Sequence, residues 1–266
     1  MARNKGRRGC EPTLAFLQAQ CPCTPDCILL TCGLTGLLRL YGLLHSIDFS
    51  LGISIRFYFL GHKPKGDLLL AELTWKDGKC RCSWANPQNE LYVRYHDEEW
   101  GVPVHDDGRL FEMLILESFQ AGLSWECVLN KREAFRRAFD GFRLESVCAF
   151  DEAKLHALQQ DASIIRNRRK LEAAVRNARV FRDIQQECGS FSSYLWGWTN
   201  GQVLREFGPT SSPLSDAISA DLKKRGMTFV GTTIIYAYLQ AVGVINAHSP
   251  TCYRAGAVPL YPTPRP

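Results

Sequence analysis

Two neighbouring stretches decide how this chain folds: LYVRYHDEEWG at residues 91–101 and LFEMLILESFQAGLSW at residues 110–125. In the second stretch, Leu110 and Leu114 have helical spacing, and Glu117 follows them by seven and three residues on the same face. An acid on an apolar helix face must find a donor, shift its pKa or receive a ligand, because burying an unpaired carboxylate is costly. The stretch therefore predicts a helix with an unusual acid on its buried side.

Four aromatic residues accompany this acid in the same stretches, namely Tyr92, Tyr95, Trp100 and Trp125. Aromatic faces beside a buried carboxylate suit a flat, hydrogen-bonding and cationic molecule, and a nucleobase fits that description. The alternative is that the aromatic rings are ordinary core and the acid pairs with an arginine, since perturbed acids are often structural. The pattern alone leaves both interpretations open.

The overall composition is that of an ordinary globular protein. The chain has 266 residues, of which 45% are hydrophobic and 22% charged, so it can bury a sizeable core. Its net charge of +5 permits a polyanionic partner without requiring one. The apolar run at residues 27–38 is too short to cross a bilayer, and we expect no membrane association.

Residues 1–78 differ in character from the rest of the chain. They begin with the basic run MARNKGRRGC, and Glu11 is the only acid among the first 25 residues. An odd total of eleven cysteines, without a convincing secretory signal, does not indicate a disulfide framework. We interpret residues 1–78 either as an organelle-targeting segment or as a poorly ordered extension, and residues 256–266 as a disordered Pro-rich tail.

From about residue 80 the pattern is helical. Residues 108–120, 144–150, 151–158, 167–187 and 230–242 are predicted helices, and further helices should follow the capping residues Ser124 and Ser212. Convincing alternating strands are absent, so the sequence predicts an all-α fold.

Basic residues are concentrated in two places. Seven lie within 17 positions (Arg166, Arg168, Arg169, Lys170, Arg176, Arg179 and Arg182), and three more lie at residues 223–225. A solvated helix face is the ordinary explanation of such clusters, and phosphate binding is the alternative. Arg166 and Arg168 are our candidate contacts to nucleic acid.

A Gly-containing turn separates two apolar helices in KKRGMTFVGTTIIYAYLQAVG, residues 223–243. Gly231 permits close approach of a backbone, and Thr232 opens the second helix, whose N–H groups could bind phosphate. This is the physical basis of a helix-hairpin-helix DNA-binding motif. An ordinary helical hairpin is the alternative.

Four residues are suitable zinc ligands: Cys82, His96, His248 and Cys252. The last two are four residues apart and could face the same way on one helical turn. Two Cys and two His fill a tetrahedron and leave no position for substrate, so such an ion would stabilise the fold and would not catalyse a reaction.

Together, several motifs resemble the DNA-3-methyladenine glycosylase I family over about residues 80–255. They are CSWANPQNELYVRYHDEEWGVP, LFEMLILESFQAGLSW, DASIIRNRRKLEAAVRNAR, KKRGMTFVGTTIIYAYLQAVGVINAH and HSPTC. The resemblance implies a helix-hairpin-helix glycosylase domain at residues 79–255, with one structural zinc that joins its N- and C-terminal ends through Cys82, His96, His248 and Cys252.

The resemblance also implies roles for individual residues. Glu117 would hydrogen-bond the methylated adenine, with Tyr95, Trp100 and Trp125 around the base and Tyr92 nearby. The turn Gln120-Ala121-Gly122-Leu123 would push into the gap that the base leaves, while Arg166, Arg168, Gly231 and Thr232 remain candidate DNA contacts.

The implied function is DNA repair. The enzyme would flip 3-methyladenine out of alkylated double-stranded DNA and hydrolyse its N-glycosidic bond without a lyase step. We expect a monomer that acts inside the cell in a DNA-containing compartment, namely the cytoplasm, the nucleoid or, if residues 1–78 target it, an organelle.

The chain departs from the family pattern at Ser118 and Phe119, where Gly and Gln are frequent, at Ala247, where Asp is frequent, and at Glu90, where Pro is frequent. The first two departures could alter the shape of the pocket.

The alternatives from other functional classes are a noncatalytic DNA-binding module and a zinc hydrolase, and the latter would need an open coordination position.

Overall fold

The computed structural model describes residues 75–256 of the chain. The interpretations of the amino-terminal extension and of the Pro-rich tail therefore fall almost entirely outside the described residues. Within them the chain is mostly helical, as predicted. No helix of this part is long and apolar enough to span a bilayer.

The described elements follow one another with short connections. The α-helices are α1 (Glu90–Arg94), α2 (Asp107–Gln120), α3 (Trp125–Leu129), α4 (Arg132–Ala138), α5 (Leu144–Cys148), α6 (Glu152–Gln160), α7 (Arg168–Cys188), α8 (Phe191–Gly197), α9 (Pro213–Lys224) and α10 (Thr232–Ala241). A π-helix (Tyr95–Glu99) continues α1, and a 3-10 helix (Asp140–Phe142) follows α4. The strands are β1 (Leu204–Arg205) and β2 (Ile245–Asn246).

Side-chain caps set the starts of helices at the predicted places. Asp106, Ser124 and Ser212 each accept a hydrogen bond from the backbone N–H three residues further on, at 2.9, 3.2 and 3.4 Å. Pro213 occupies the first helical position after Ser212, where its missing N–H is no loss. The sequence therefore fixes these boundaries locally.

Helix α2 lies at the centre of the core. All residues from 110 to 119 are buried, because α2 packs against α3, α7, α8 and α10. A helix that is enclosed on most sides needs apolar residues around most of its circumference. Any polar side chain on α2 is therefore held in a low-dielectric environment.

Helices α9 and α10 pack against each other as the predicted hairpin, joined by residues 225–231, which we call the hairpin turn. The second helix begins at Thr232, two residues later than predicted. Val230 remains outside it, and its carbonyl accepts a hydrogen bond from Ser219 Oγ at 2.7 Å. Tertiary contact with α9 therefore overrides the apolar pattern at this boundary.

One short strand pair was not predicted. β1 pairs in parallel with β2, with Leu204 opposite Ile245 and Arg205 opposite Asn246. Two residues are too few to show an alternating pattern. The pair fixes the segment that leads from α10 towards His248.

Gly243, just after α10, lies against the backbone of Val102 and Pro103. Its φ is +75°, and a Cβ at this position would collide with both residues. Only glycine therefore permits the chain after α10 to approach the segment that follows the π-helix.

We expect Gly243→Ala to lower the free energy of unfolding by roughly 3 kcal/mol, combining backbone strain with overpacking. Gly141→Ala is the matched control, because Gly141 also has a positive φ of 70° but has open space at its Cβ. It should cost about 1 kcal/mol, from strain alone. Urea unfolding measures both, and equal losses would contradict the steric explanation.

Candidate active site and metal centre

The four predicted metal ligands come together in the interior. Cys82, His96, His248 and Cys252 are all buried, and their ligand atoms lie within 4.8 Å of one another. Cys252 Sγ lies 3.5 Å from both His96 Nε2 and His248 Nδ1, and Cys82 Sγ lies 3.5 Å from His248 Nδ1. Tetrahedral zinc with ordinary Zn–S and Zn–N bonds requires S···N separations of about 3.5 Å. The residues fit a four-ligand metal ion.

Each histidine is oriented through its other ring nitrogen. His96 Nδ1 lies 2.8 Å from Asp97 Oδ1, and Arg81 in turn donates to Asp97 at 2.7–3.1 Å. His248 Nε2 lies 3.2 Å from the carbonyl oxygen of Trp100. Outer partners of this kind fix which nitrogen faces a metal.

The two sulfur atoms also have backbone partners. Ser249 N donates to Cys82 Sγ and Arg254 N donates to Cys252 Sγ, each at 3.4 Å. The bond from Ser249 favours the thiolate of Cys82, the form that binds a metal, against the burial that raises the pKa of this thiol. Because Cys82 precedes α1 and Cys252 follows β2, an ion here would join the two ends of the helical domain.

A separate cavity of about 180 Å³ opens beside this centre. It is lined by the five residues that the sequence assigned to a base pocket and by four others, namely Tyr92, Tyr95, Trp100, Glu117, Trp125, Trp84, Gln120, Ala237 and Gln240. The acid on α2 and the rings of the 91–101 stretch therefore meet in one place.

Glu117 is buried without a partner among the described residues. Glu117 is only 3% exposed, and burial raises the pKa of its carboxyl group from 4.5 to about 8. Glu112, on the same helix, is also buried, but Arg132 and Arg136 donate to it at 2.5 and 3.0 Å. The chain thus neutralises one acid of α2 and leaves the other facing the cavity.

The aromatic rings form the walls of this cavity. Trp84 contacts Tyr92 and Trp100 with ring centroids 5.2 and 4.8 Å apart, and Tyr95 contacts Trp125 at 5.2 Å. Trp125 Nε1 is buried and has no hydrogen-bond partner among the described residues. The cavity therefore combines π-faces with a carboxyl group.

Sequence reasoning missed Trp84, Ala237 and Gln240. Trp84 lies within the CSWANP segment, two residues after a predicted metal ligand, and that position was a usable signal. Ala237 and Gln240 belong to α10, and only the packing of α10 on α2 brings them to the cavity. No local pattern marks them.

Ser118 and Phe119, the two residues after Glu117 that depart from the family pattern, leave the cavity open. Ser118 Oγ donates to the carbonyl of Leu114 at 2.8 Å, and Phe119 packs on Phe135 with centroids 4.7 Å apart. Neither residue lines the cavity. Both side chains are accommodated on other faces of α2.

Residues 120–123, which we call the wedge turn, leave α2 at the edge of the cavity. Gly122 has a φ of +77°, and Gln120 Nε2 donates to Leu123 O at 2.9 Å. Leu123 is 39% exposed, and the other exposed large hydrophobic residues in the described part of the chain are Phe207 and Tyr253. An apolar side chain therefore projects beside the cavity.

Some of the remaining residues that were predicted to contact DNA already have partners within the protein. Arg166 is exposed, but Arg168 is bound by Glu152 and Glu172 at 2.6 Å. Gly231 caps α10 and leaves its first N–H groups accessible, whereas Thr232 Oγ1 donates to Asp216 at 2.5 Å. The backbone of α10 is thus a better phosphate site than the Thr232 hydroxyl.

Residues 84–255 match the model of a family described as methyladenine glycosylase. This match covers the whole cavity and three of the four metal ligands. The chain belongs to the methyladenine glycosylase family. Membership identifies it as a glycosylase enzyme, and the resemblance found in the sequence is confirmed.

Similar proteins and structures carry the same family name. DNA-3-methyladenine glycosylase 1 from Escherichia coli (strain K12) is 46% identical over 179 residues, covering 65% of this chain and 95% of the relative. A crystal structure of 3-methyladenine DNA glycosylase I is 44% identical with a TM-score of 0.63, covering 65% of this chain and 98% of that one. A structure addressing 3-methyladenine recognition by the Staphylococcus aureus enzyme is 34% identical with a TM-score of 0.61, covering 67% and 94%.

For this methyladenine glycosylase, the raised pKa of Glu117 predicts a pH-dependent stability. Between pH 4.5 and about 8 the unfolded chain loses the Glu117 proton while the folded chain keeps it. Rising pH in this window should therefore destabilise the wild type by up to about 1.4 kcal/mol per pH unit relative to Glu117→Gln. Urea unfolding of both proteins from pH 5 to 9 measures the difference. A difference that does not change with pH would show that the folded protein already holds an ionised carboxylate.

Proposed function

We propose that this glycosylase releases 3-methyladenine from alkylated double-stranded DNA by hydrolysing its N-glycosidic bond. The observation that supports the proposal most directly is Glu117, a buried carboxyl group without a partner in a cavity walled by aromatic rings. The names of the relatives, which refer to 3-methyladenine, point to the same substrate.

The charge of the alkylated base explains how such a cavity selects it. N3-alkylation makes the adenine in DNA cationic. A cation beside Glu117 favours the carboxylate and lowers its pKa, whereas burial alone raises that pKa to about 8. The acid then accepts hydrogen bonds from the base edge, and Tyr95, Trp100 and Trp125 contact the π-face. A neutral purine would not stabilise the Glu117 carboxylate in this way.

The base must leave the helix before it can reach Glu117. Rotating a nucleotide out of a duplex costs a few kcal/mol of stacking and pairing. We propose that the exposed Leu123 of the wedge turn fills the gap, and that the N-terminus of α10 binds backbone phosphate near the extruded nucleotide. Arg166 supplies additional positive charge.

Cleavage is proposed to use water and to include no lyase step. The alkylated base is already a good leaving group, so the enzyme needs little acid catalysis. A lyase step requires an amine nucleophile, and none of the residues that line the cavity is a lysine.

Every proposed group comes from one chain, so a monomer is sufficient. The catalytic domain would extend over residues 79–255 and act where DNA is present.

We further propose that one structural zinc ion occupies the centre formed by Cys82, His96, His248 and Cys252. When bound, it would supply folding energy and no catalysis, since four protein ligands complete its coordination. Trp100 links this centre to the cavity, because its carbonyl contacts His248 while its ring forms part of the wall.

Glu117→Gln should lower the rate of 3-methyladenine release from methylated DNA about 100-fold or more, because the amide cannot balance the charge of the base. Glu126→Gln is the matched control. Glu126 lies on the adjacent α3 and accepts hydrogen bonds from Asn86 and Asn89 outside the cavity, so an isosteric amide should leave activity unchanged. Chromatography of the freed bases gives both rates. Release at the wild-type rate by Glu117→Gln, or DNA binding without release by the wild type, would reject the proposal.

Cys252→Ala should remove one equivalent of zinc per chain and lower the melting temperature, as expected for a structural ion. Cys148→Ala tests whether loss of any buried thiol has the same effect, since Cys148 is also buried and free but lies outside the centre. Metal analysis and thermal unfolding distinguish the two variants. A Cys252→Ala protein that retains its stability but loses turnover would favour a catalytic metal instead.

A further inference from the structure

Lys170 lies beneath the wedge turn, although it belongs to a basic cluster whose ordinary explanation is a solvated face. It is only 8% exposed, and its Nζ donates to the carbonyl oxygens of Phe119 at 2.7 Å and Ala121 at 2.6 Å. No carboxylate among the described residues pairs with it. Its charge is therefore directed at the backbone where α2 ends.

The position of this ammonium has a simple physical reason. The last carbonyls of a helix have no partner within the helix, and they lie at the negative end of its dipole. A cation that binds two of them makes strong, charge-assisted hydrogen bonds in a site from which water is largely excluded. Burial lowers the pKa of Lys170, as expected for an amine held in such a site. The contact fixes the direction in which the chain leaves α2.

The same face of α7 also holds the hairpin turn. Asn177, seven residues after Lys170, is fully buried, and its side-chain amide makes two hydrogen bonds of 2.9 Å with the backbone of Thr228. Lys170 Nζ also lies 6.0 Å from the centre of the Phe229 ring in that turn. Two polar side chains about two helical turns apart on α7 thus hold the two loops that are proposed to contact DNA.

We propose that Lys170 is a positioning residue that holds the wedge turn in register with the hairpin turn, so that Leu123 enters the duplex where the base leaves it. This inference rests on the proposed function. Both loops must engage one duplex at the same time, and a displacement of about 1 Å can cost about 100-fold in rate. The other hydrogen bonds of the wedge turn among the described residues join Gln120 to Leu123 within the turn. Lys170 is therefore the side chain that bonds this turn to the core.

Lys170→Met, which removes the ammonium and keeps the apolar stem, provides the first test. We expect kcat for release of 3-methyladenine from DNA to fall about 10- to 100-fold. Binding of free 3-methyladenine, followed by tryptophan fluorescence, should be unchanged, because Lys170 does not line the cavity. Lys131→Met is the matched control, since Lys131 Nζ donates to one carbonyl, that of Ser163, at the surface. It should retain wild-type rates.

A double-mutant cycle with Leu123→Ala separates positioning from a general structural role. If Lys170 acts through the wedge turn, Lys170→Met should cost much less in the Leu123→Ala background than in the wild type. Additive losses, equal weakening of free-base binding, or unchanged release would overturn the inference. Should Lys170→Met fail to fold, Lys170→Gln, which keeps one donor group, replaces it in the same cycle. Absence of any base release by the wild-type protein would instead reject the proposed function.

Discussion

The cost of keeping the Glu117 carboxyl group in an apolar interior is the constraint on which the site depends. A pKa raised to about 8 corresponds to several kcal/mol that ionisation would cost in the empty cavity. A domain whose net stability is of similar size can tolerate such a group only on a rigid, well-packed element. Helix α2 meets this need, because all its residues from 110 to 119 are buried between four other helices. Of the two buried glutamates on α2, Glu112 is ion-paired, and the one left without a partner is the one that lines the cavity.

The proposed metal centre and the cavity share one residue, because Trp100 contacts His248 and also lines the cavity. The ring of Trp100 lies 4.5 Å from that of His248 and 4.8 Å from that of Trp84. Its backbone carbonyl contacts His248 as well. An ion that orders His248 therefore also orders one side of the cavity, and the close approach of Gly243 to the segment after Trp100 adds a second constraint. The folding energy that a bound ion would supply at these four ligands would thus hold aromatic rings in place.

Much of this arrangement could be predicted from local sequence. The caps at Asp106, Ser124 and Ser212 and the inward position of Glu117 follow from spacing and residue type. Other features depend on packing between distant segments. Gln240 reaches the cavity only because α10 packs on α2, and the β1–β2 pair is too short to produce a pattern. Lys170 illustrates the limit most clearly, since its sequence context resembles that of its exposed neighbour Arg169 while its side chain is buried.

Under the proposed function, selectivity would be divided between charge and shape. Aromatic rings stack on any base, so the walls of the cavity discriminate weakly among purines. Several cationic groups near the proposed DNA-binding loops are already neutralised, as Arg168 is by Glu152 and Arg225 by Glu187. Under the proposed function, pairing with these acids would weaken phosphate binding by the two arginines. In the proposed mechanism the other contribution to selectivity is the protonation state of Glu117, which would change in favour of binding only when the incoming base is a cation. On this proposal, a lesion that differs from adenine by one methyl group would be distinguished mainly by its charge.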